Sequence, residues 1–264
     1  MKKTHNNKRM PLSAGFFCVC LLLFNTFFLC TCGLDKYEYI ESPEYLIHRP
    51  YETSSYDEKY FEFRTKPSNN TMFKGTAVYY RIYNSLSKMN TDVGAITNYI
   101  YSEDNKAKAA EKLLSTNEKN QGFKPLLYTG YTESILIEDN AEHNVRIRLS
   151  DYQYYEDEEN SEEAYKACLI FDRGTAVERS ERPIRNVDNL TFNFGRYSRE
   201  TNSRIPDAED LDVCYSETTS EDDANRWYVP MFAVGVAMDA SYTYNYSVPL
   251  YLGFVIINDN EMDN

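Results

Sequence analysis

Few side chains in this sequence have the type and spacing that chemistry requires. Behind His5 stand only two histidines, His48 in a tether-like stretch and His143 in a turn, and a lone exposed histidine is usually a solvated surface residue. A general base needs a partner to orient it, and the chain holds no Gly-x-Ser-x-Gly, no His-Glu-x-x-His and no phosphate-cradling glycine loop. Carboxylates are spread too widely to single out a catalytic pair. One acidic group is tighter: Asp207, Glu209, Asp210 and Asp212, with Glu221, Asp222 and Asp223 following. Calcium takes roughly six to eight oxygens from such residues, so the first four are the candidate cation ligands. They lack the spacing and central glycine of an EF-hand loop, and a solvated acidic run is the competing reading. Tyrosine is the other signal, with 24 residues. Tyr152, Tyr154 and Tyr155 adjoin an acidic stretch, and Tyr242, Tyr244 and Tyr246 alternate near the C-terminus. A large apolar ring with a polar tip suits protein or sugar contacts; alternation fits strand packing equally well. The expectation is a contact surface, with no enzyme activity and no cofactor.

Cysteine divides the chain. Cys18, Cys20, Cys30 and Cys32 lie in the first 32 residues, and only Cys168 and Cys214 lie in the body. The N-terminus opens with Lys2, Lys3, Lys8 and Arg9 and no acidic residue, then runs apolar from Gly15 to Leu29. A basic head followed by a short apolar core is the pattern of an export signal. A bilayer-spanning helix wants about 20 apolar residues, and an uncleaved anchor is the competing reading. The segment Leu29-Cys30-Thr31-Cys32-Gly33 then resembles a bacterial lipobox, with leucine three residues before the cysteine to be lipidated. The resemblance departs at Thr31, where a small residue is usual, and is nearest to the relaxed boxes of spirochaete, treponemal-type lipoproteins. It implies lipidation of Cys32, with palmitate among the acyl chains, and a mature protein anchored in a bacterial membrane at the periplasmic face or the cell surface. In an exported chain Cys168 and Cys214 can form a disulfide or stay as two buried thiols.

Loss of residues 1–31 removes four basic residues and no acidic ones, which leaves 24 basic against 41 acidic residues and a formal charge of −17. Such a surface repels phosphate backbones, so nucleic acid is not an expected partner. The partners that remain are the membrane, through the N-terminal lipid, and an envelope or host protein.

The elements that would position these residues are mostly strands. Residues 32–58 read as a tether. Strand candidates follow at 60–64, 77–83, 126–128, 134–137, 145–149, 167–171, 190–194, 227–238 and 248–257, punctuated by Asn, Asp and Gly. Val145, Ile147 and Leu149 alternate with Arg146 and Arg148. Residues 227–238 are apolar on both faces, with Pro230 as a conflict, because proline cannot donate to a ladder. A single short helix is expected behind Ser102, with Ala107, Ala110, Leu113 and Leu114 at helical spacing. The whole reads as an all-β, mainly β-sandwich fold. Residues 75–83, 227–236 and 247–252 resemble strands of a fibronectin type III or immunoglobulin-like module, which implies one sandwich over 59–258 carrying a long insertion over about 86–224 with the short helix inside it, then a tail over 259–264. The function this implies is a lipid-anchored envelope protein serving protein interaction or envelope structure. The alternative is a ligand-binding lipoprotein for a sugar, peptide or calcium, with a concave pocket lined by tyrosines.

Overall fold

A computed structural model describes residues 39–52, 54–115, 122–151, 166–172, 178–194 and 202–259. The chain divides into Met1–Glu38 and one compact unit, Tyr39–Asn264. In the second, strands run in the order β1 (Glu44–Tyr45), β2 (Phe61–Arg64), β3 (Phe73–Tyr80) and β4 (Ile82–Tyr83). Two helices follow, α1 (Leu86–Ile100) and α2 (Ala109–Leu114). Then come β5 (Lys124–Pro125), β6 (Leu127–Tyr128), β7 (Asn144–Arg148), β8 (Cys168–Asp172), β9 (Glu178–Glu181), β10 (Pro183–Ile184) and β11 (Val213–Cys214). The last three are β12 (Arg226–Met238), β13 (Tyr244–Tyr246) and β14 (Leu250–Asn258).

Two sheets face one another, as the alternation of the strands demands. One is β1-β2-β7-β8-β9, antiparallel throughout. The other is β11-β4-β12-β3-β5, with β13 and β14 also paired to β12 and a parallel pairing between β11 and β4. Phe61, Phe63, Val145, Ile147, Leu169 and Phe171 of the first sheet meet Val78, Tyr80, Val229, Met231, Ala233 and Leu252 of the second in one core. On the other face of the first sheet, Arg146 donates to Glu62, its register partner, at 2.6 Å, and Arg148, itself buried, donates to Asp57 O at 3.0 Å. This is the all-β sandwich that the pattern implied.

The apolar character of both faces of β12 has a specific cause. Trp227, Val229, Met231 and Ala233 face the first sheet, while Tyr228, Phe232, Val234 and Val236 face a second core beneath α1. There Met89, Val93 and Ile96 line one side of the helix at spacings of four and three. Ser85 caps α1 by accepting from the Lys88 N–H. The helix expected behind Ser102 is different in the structure: Ser102 begins a turn, Lys106–Lys108 is a 3-10 turn, and only Ala109–Leu114 is α-helical. Residues 134–137 and 190–194 supply buried side chains, Leu136, Ile137, Phe192 and Phe194, without forming a strand.

Pro230 sits within β12. The register places it opposite Arg81, the single residue that separates β3 from β4. The missing N–H removes one ladder bond there, and the neighbouring strand breaks at that point.

Two boundaries differ from expectation. Residues 86–224 supply β7, β8 and β9 to one sheet and β5 and β11 to the other, so they build the sandwich and are not an insertion into it. Residues 39–52 belong to the fold and are not tether. Ile40 is buried, β1 extends the first sheet, and Ser42 Oγ donates to Val248 O at 2.8 Å. This strap lies along β14 over two glycines. A Cβ on Gly253, whose φ is +99°, would stand 2.6 Å from Pro50 O, and one on Gly235 would collide with Glu41 O. Arg49 is stacked over Tyr45 at 4.2 Å and Tyr251 at 5.4 Å, and the Tyr45 hydroxyl donates to Tyr251 O.

Candidate functional site

The largest concentration of buried charge lies where β11 meets β4. Arg185, fully buried just after β10, donates from Nε to Asp212 Oδ2 at 2.9 Å and from Nη2 to Asp212 Oδ1 at 2.6 Å and Asp210 Oδ2 at 2.7 Å. The Tyr80 hydroxyl donates to Asp212 Oδ2 at 2.6 Å and accepts from Asn186 N–H at the same distance. Arg204 closes the network on Asp210, which also accepts from Asp207 N–H at 3.0 Å. Burial alone would raise the Asp210 carboxyl, but Arg204, the Asp207 amide and Arg185 together hold it below the usual carboxylate range. Burial lifts the Tyr80 phenol well above its ordinary value, with the Asp212 charge adding to it. Both groups are therefore locked in one protonation state at neutral pH, the opposite of what proton transfer needs.

This geometry corrects the calcium assignment. Asp210 and Asp212 have their oxygens engaged by Arg185, Arg204 and Tyr80, while Asp207 Oδ1 accepts from Glu209 N–H in a local turn. Two guanidinium groups already occupy the place a cation would take. Among the described residues no three His, Cys, Asp or Glu side chains are grouped to hold a metal ion.

The remaining candidates separate. Tyr152, Tyr154 and Tyr155 lie outside the described residues. Tyr246 is half-buried with its ring edge-on to Tyr79 at 6.4 Å, whereas Tyr242 and Tyr244 are exposed. They stand on a well-braced turn. Asp239 Oδ1 accepts from Ser241 N–H at 2.9 Å, Ser241 Oγ at 2.6 Å and Thr243 N–H at 2.9 Å, and Tyr242 adopts a φ of +63°. Those bonds, Ser241 first, keep the Asp239 carboxyl below its ordinary range. Cys168 and Cys214 do not pair. Both are free, one in each sheet, and burial raises both thiols, which disfavours the reactive thiolate. Cys32 precedes the described residues.

His143 is not the exposed turn residue the sequence suggested. Its side chain is buried, with Nε2 2.8 Å from both oxygens of Asp139. The nearest hydroxyl with a role there, Thr65 Oγ1, accepts from His143 N–H and donates to Ala141 O, so it serves the turn. His48 is held by Glu58 O and stacks on Tyr60 at 4.0 Å.

One concave feature among the described residues is an open cleft of about 510 Å³ lined by Glu52, Ser54, Ser55, Tyr56, Lys59, Arg226, Ile256 and Asn258. Its lining holds one tyrosine, Tyr56. The Arg185 network escaped the sequence reading because its members are separated by up to 132 residues between Tyr80 and Asp212. The one available signal was a charged residue directly behind the apolar pair Pro183-Ile184. No family model matches this chain, nor does any curated protein or solved structure.

Proposed function

We propose that this chain is an exported, lipid-anchored envelope protein, held at a bacterial membrane by acylated Cys32, whose β-sandwich serves protein interaction or envelope structure and not catalysis. The observation that carries the reading is where the fold begins. The export-type leader is read over residues 1–31, and the compact unit starts at Tyr39, seven residues after Cys32. A leader, an acylatable cysteine and a folded domain that follows almost at once are the parts of an anchored domain. Two or more acyl chains, at about 0.8 kcal/mol per buried methylene, suffice for stable anchoring. No helix among the described residues is long and apolar enough to cross a membrane. The interior network serves the fold, since each of its carboxylates faces a guanidinium or hydroxyl partner. Metabolic labelling with a palmitate analogue tests the anchor: wild type should take up label and Cys32→Ala should not. Capture from envelope extract at physiological salt should enrich a defined protein; enrichment of nothing would count against the interaction role.

The ligand-binding alternative has one observation in its favour, the 510 Å³ cleft with Lys59 and Arg226 at its wall. It predicts a rise in melting temperature with a small anionic sugar or peptide, lost in Arg226→Ala.

A further inference from the structure

Seven residues separate Cys32, the proposed anchor, from Tyr39, where the compact unit begins. The strap runs alongside β14 in the same direction, with Ser42 at Val248, Tyr45 at Tyr251 and Pro50 at Gly253. Because β14 is antiparallel to β12, following the strap back to its start leads toward higher numbers in β12, and Ile40 and Glu41 lie on Gly235. Beyond Gly235 come Met238 and the braced turn to β13. Met72 is there too, its carbonyl accepting from Met238 N–H at 3.0 Å. The chain therefore enters the fold at the end that carries the Tyr242 turn.

That end exposes aromatic and apolar side chains. Tyr242 is 81% exposed, Tyr39 66%, Tyr244 44% and Met72 39%. The segments that carry these side chains hold few charges, although Lys106, bonded to Glu103, stands within electrostatic reach of Tyr39. Residues 39–42, 68–76 and 236–248 contain only Glu41, Asp239 and Lys74 as charged groups, in a mature chain of formal charge −17. The acidic turn Glu138, Asp139 and Glu142 occupies the first-sheet side of the same end, where Asn140 bonds Ser68. Its repulsion from anionic headgroups tips that side toward water and the tyrosine side toward lipid. Seven extended residues reach about 25 Å at most, so the entry point cannot leave the vicinity of the acylated cysteine. Tyrosine is the residue that settles at the headgroup level, with its ring among the apolar groups and its hydroxyl in water.

We propose that the end of the sandwich bearing Tyr39, Met72, Tyr242 and Tyr244 rests on the lipid headgroups as a second, side-chain contact with the membrane, which fixes the domain's orientation. This rests on lipidation at Cys32. Protein partners then meet the opposite end and the flanks.

The test uses full-length acylated protein in vesicles of phosphatidylethanolamine and phosphatidylglycerol containing a lipid spin-labelled near the headgroup. Tryptophan is introduced by Tyr242→Trp, or by Tyr215→Trp at the exposed opposite end; the chain's own Trp227 is buried and gives a constant background. The Y242W signal should fall by about half, Y244W should fall less, and Y215W should stay as it is without spin label. Equal, unquenched signals in protein that takes up the palmitate label would overturn this inference and leave the anchor standing. Wild type that takes up no label would overturn the anchor and this inference with it.

Discussion

The two ends of β12 deal with their surroundings in opposite ways. At the Trp227 end, charge is buried and answered from within: Arg185, Asp210, Asp212, Arg204 and Tyr80 close on one another beside Phe192, Phe194 and Trp227. At the Met238 end, charge stays on the surface and aromatic side chains are left in the open, on a turn whose hydrogen bonds are all local. The first arrangement is self-sufficient and serves the fold. The second contributes little to the fold, which leaves its exposed rings open to the membrane contact proposed above.

The comparison breaks most readily at Asp212. Asp212→Ala leaves Arg185 buried without its bidentate partner, and removal of one member of such a pair costs about 3–5 kcal/mol. Urea unfolding followed by circular dichroism should show a loss of that order; a loss below about 1 kcal/mol would mean that the network is not integral to the fold. Next is the strap that leads to the aromatic end. Gly253→Val forces a side chain against Pro50 at a positive φ, and should cost about 1–3 kcal/mol. Limited proteolysis should then cut within residues 45–52, where the wild type resists.

Acid sharpens the contrast. Asp210 and Asp223, the latter bonded to the Tyr228 hydroxyl and Leu86 N–H, both have carboxyls below the ordinary range, since these partners outweigh the upward push of burial. The unfolded chain binds their protons more tightly, so the stability they give is complete above an unfolded carboxyl value of about 4. It drains away as pH falls through the lower folded values. Stability against pH should therefore slope downward below about pH 4, and Asp210→Asn should flatten that slope. The smallest effect belongs to the other end: Tyr242→Ser should change stability by no more than about 0.5 kcal/mol.

Much of the sandwich was legible because its strands obey a period of two with a solvated face, as buried Val145 and Ile147 against exposed Asn144 and Arg146 show; Arg148, expected outward, is buried. The doubly apolar β12 signalled a strand covered on both sides, but its second cover was missed. Helix α1 carries Asn90, Thr91, Gly94, Thr97 and Asn98, all poor helix formers, so its formation rests on the packing of Met89, Val93 and Ile96 against β12. The strap was read as tether because its register depends on absent side chains at Gly235 and Gly253, which no local pattern reveals. The acidic group at 207–212 stood out at once. Its role did not, since Arg185, the buried one of the two arginines that neutralise it, lies 27 residues from Asp212.

The account turns on the chain being moored immediately ahead of Tyr39. Mass spectrometry of the N-terminal peptide from membrane-extracted protein examines this most directly. A peptide that begins at Cys32 and carries the mass of its acyl groups is the predicted result; a peptide that begins at Met1, or an unmodified Cys32, would contradict it.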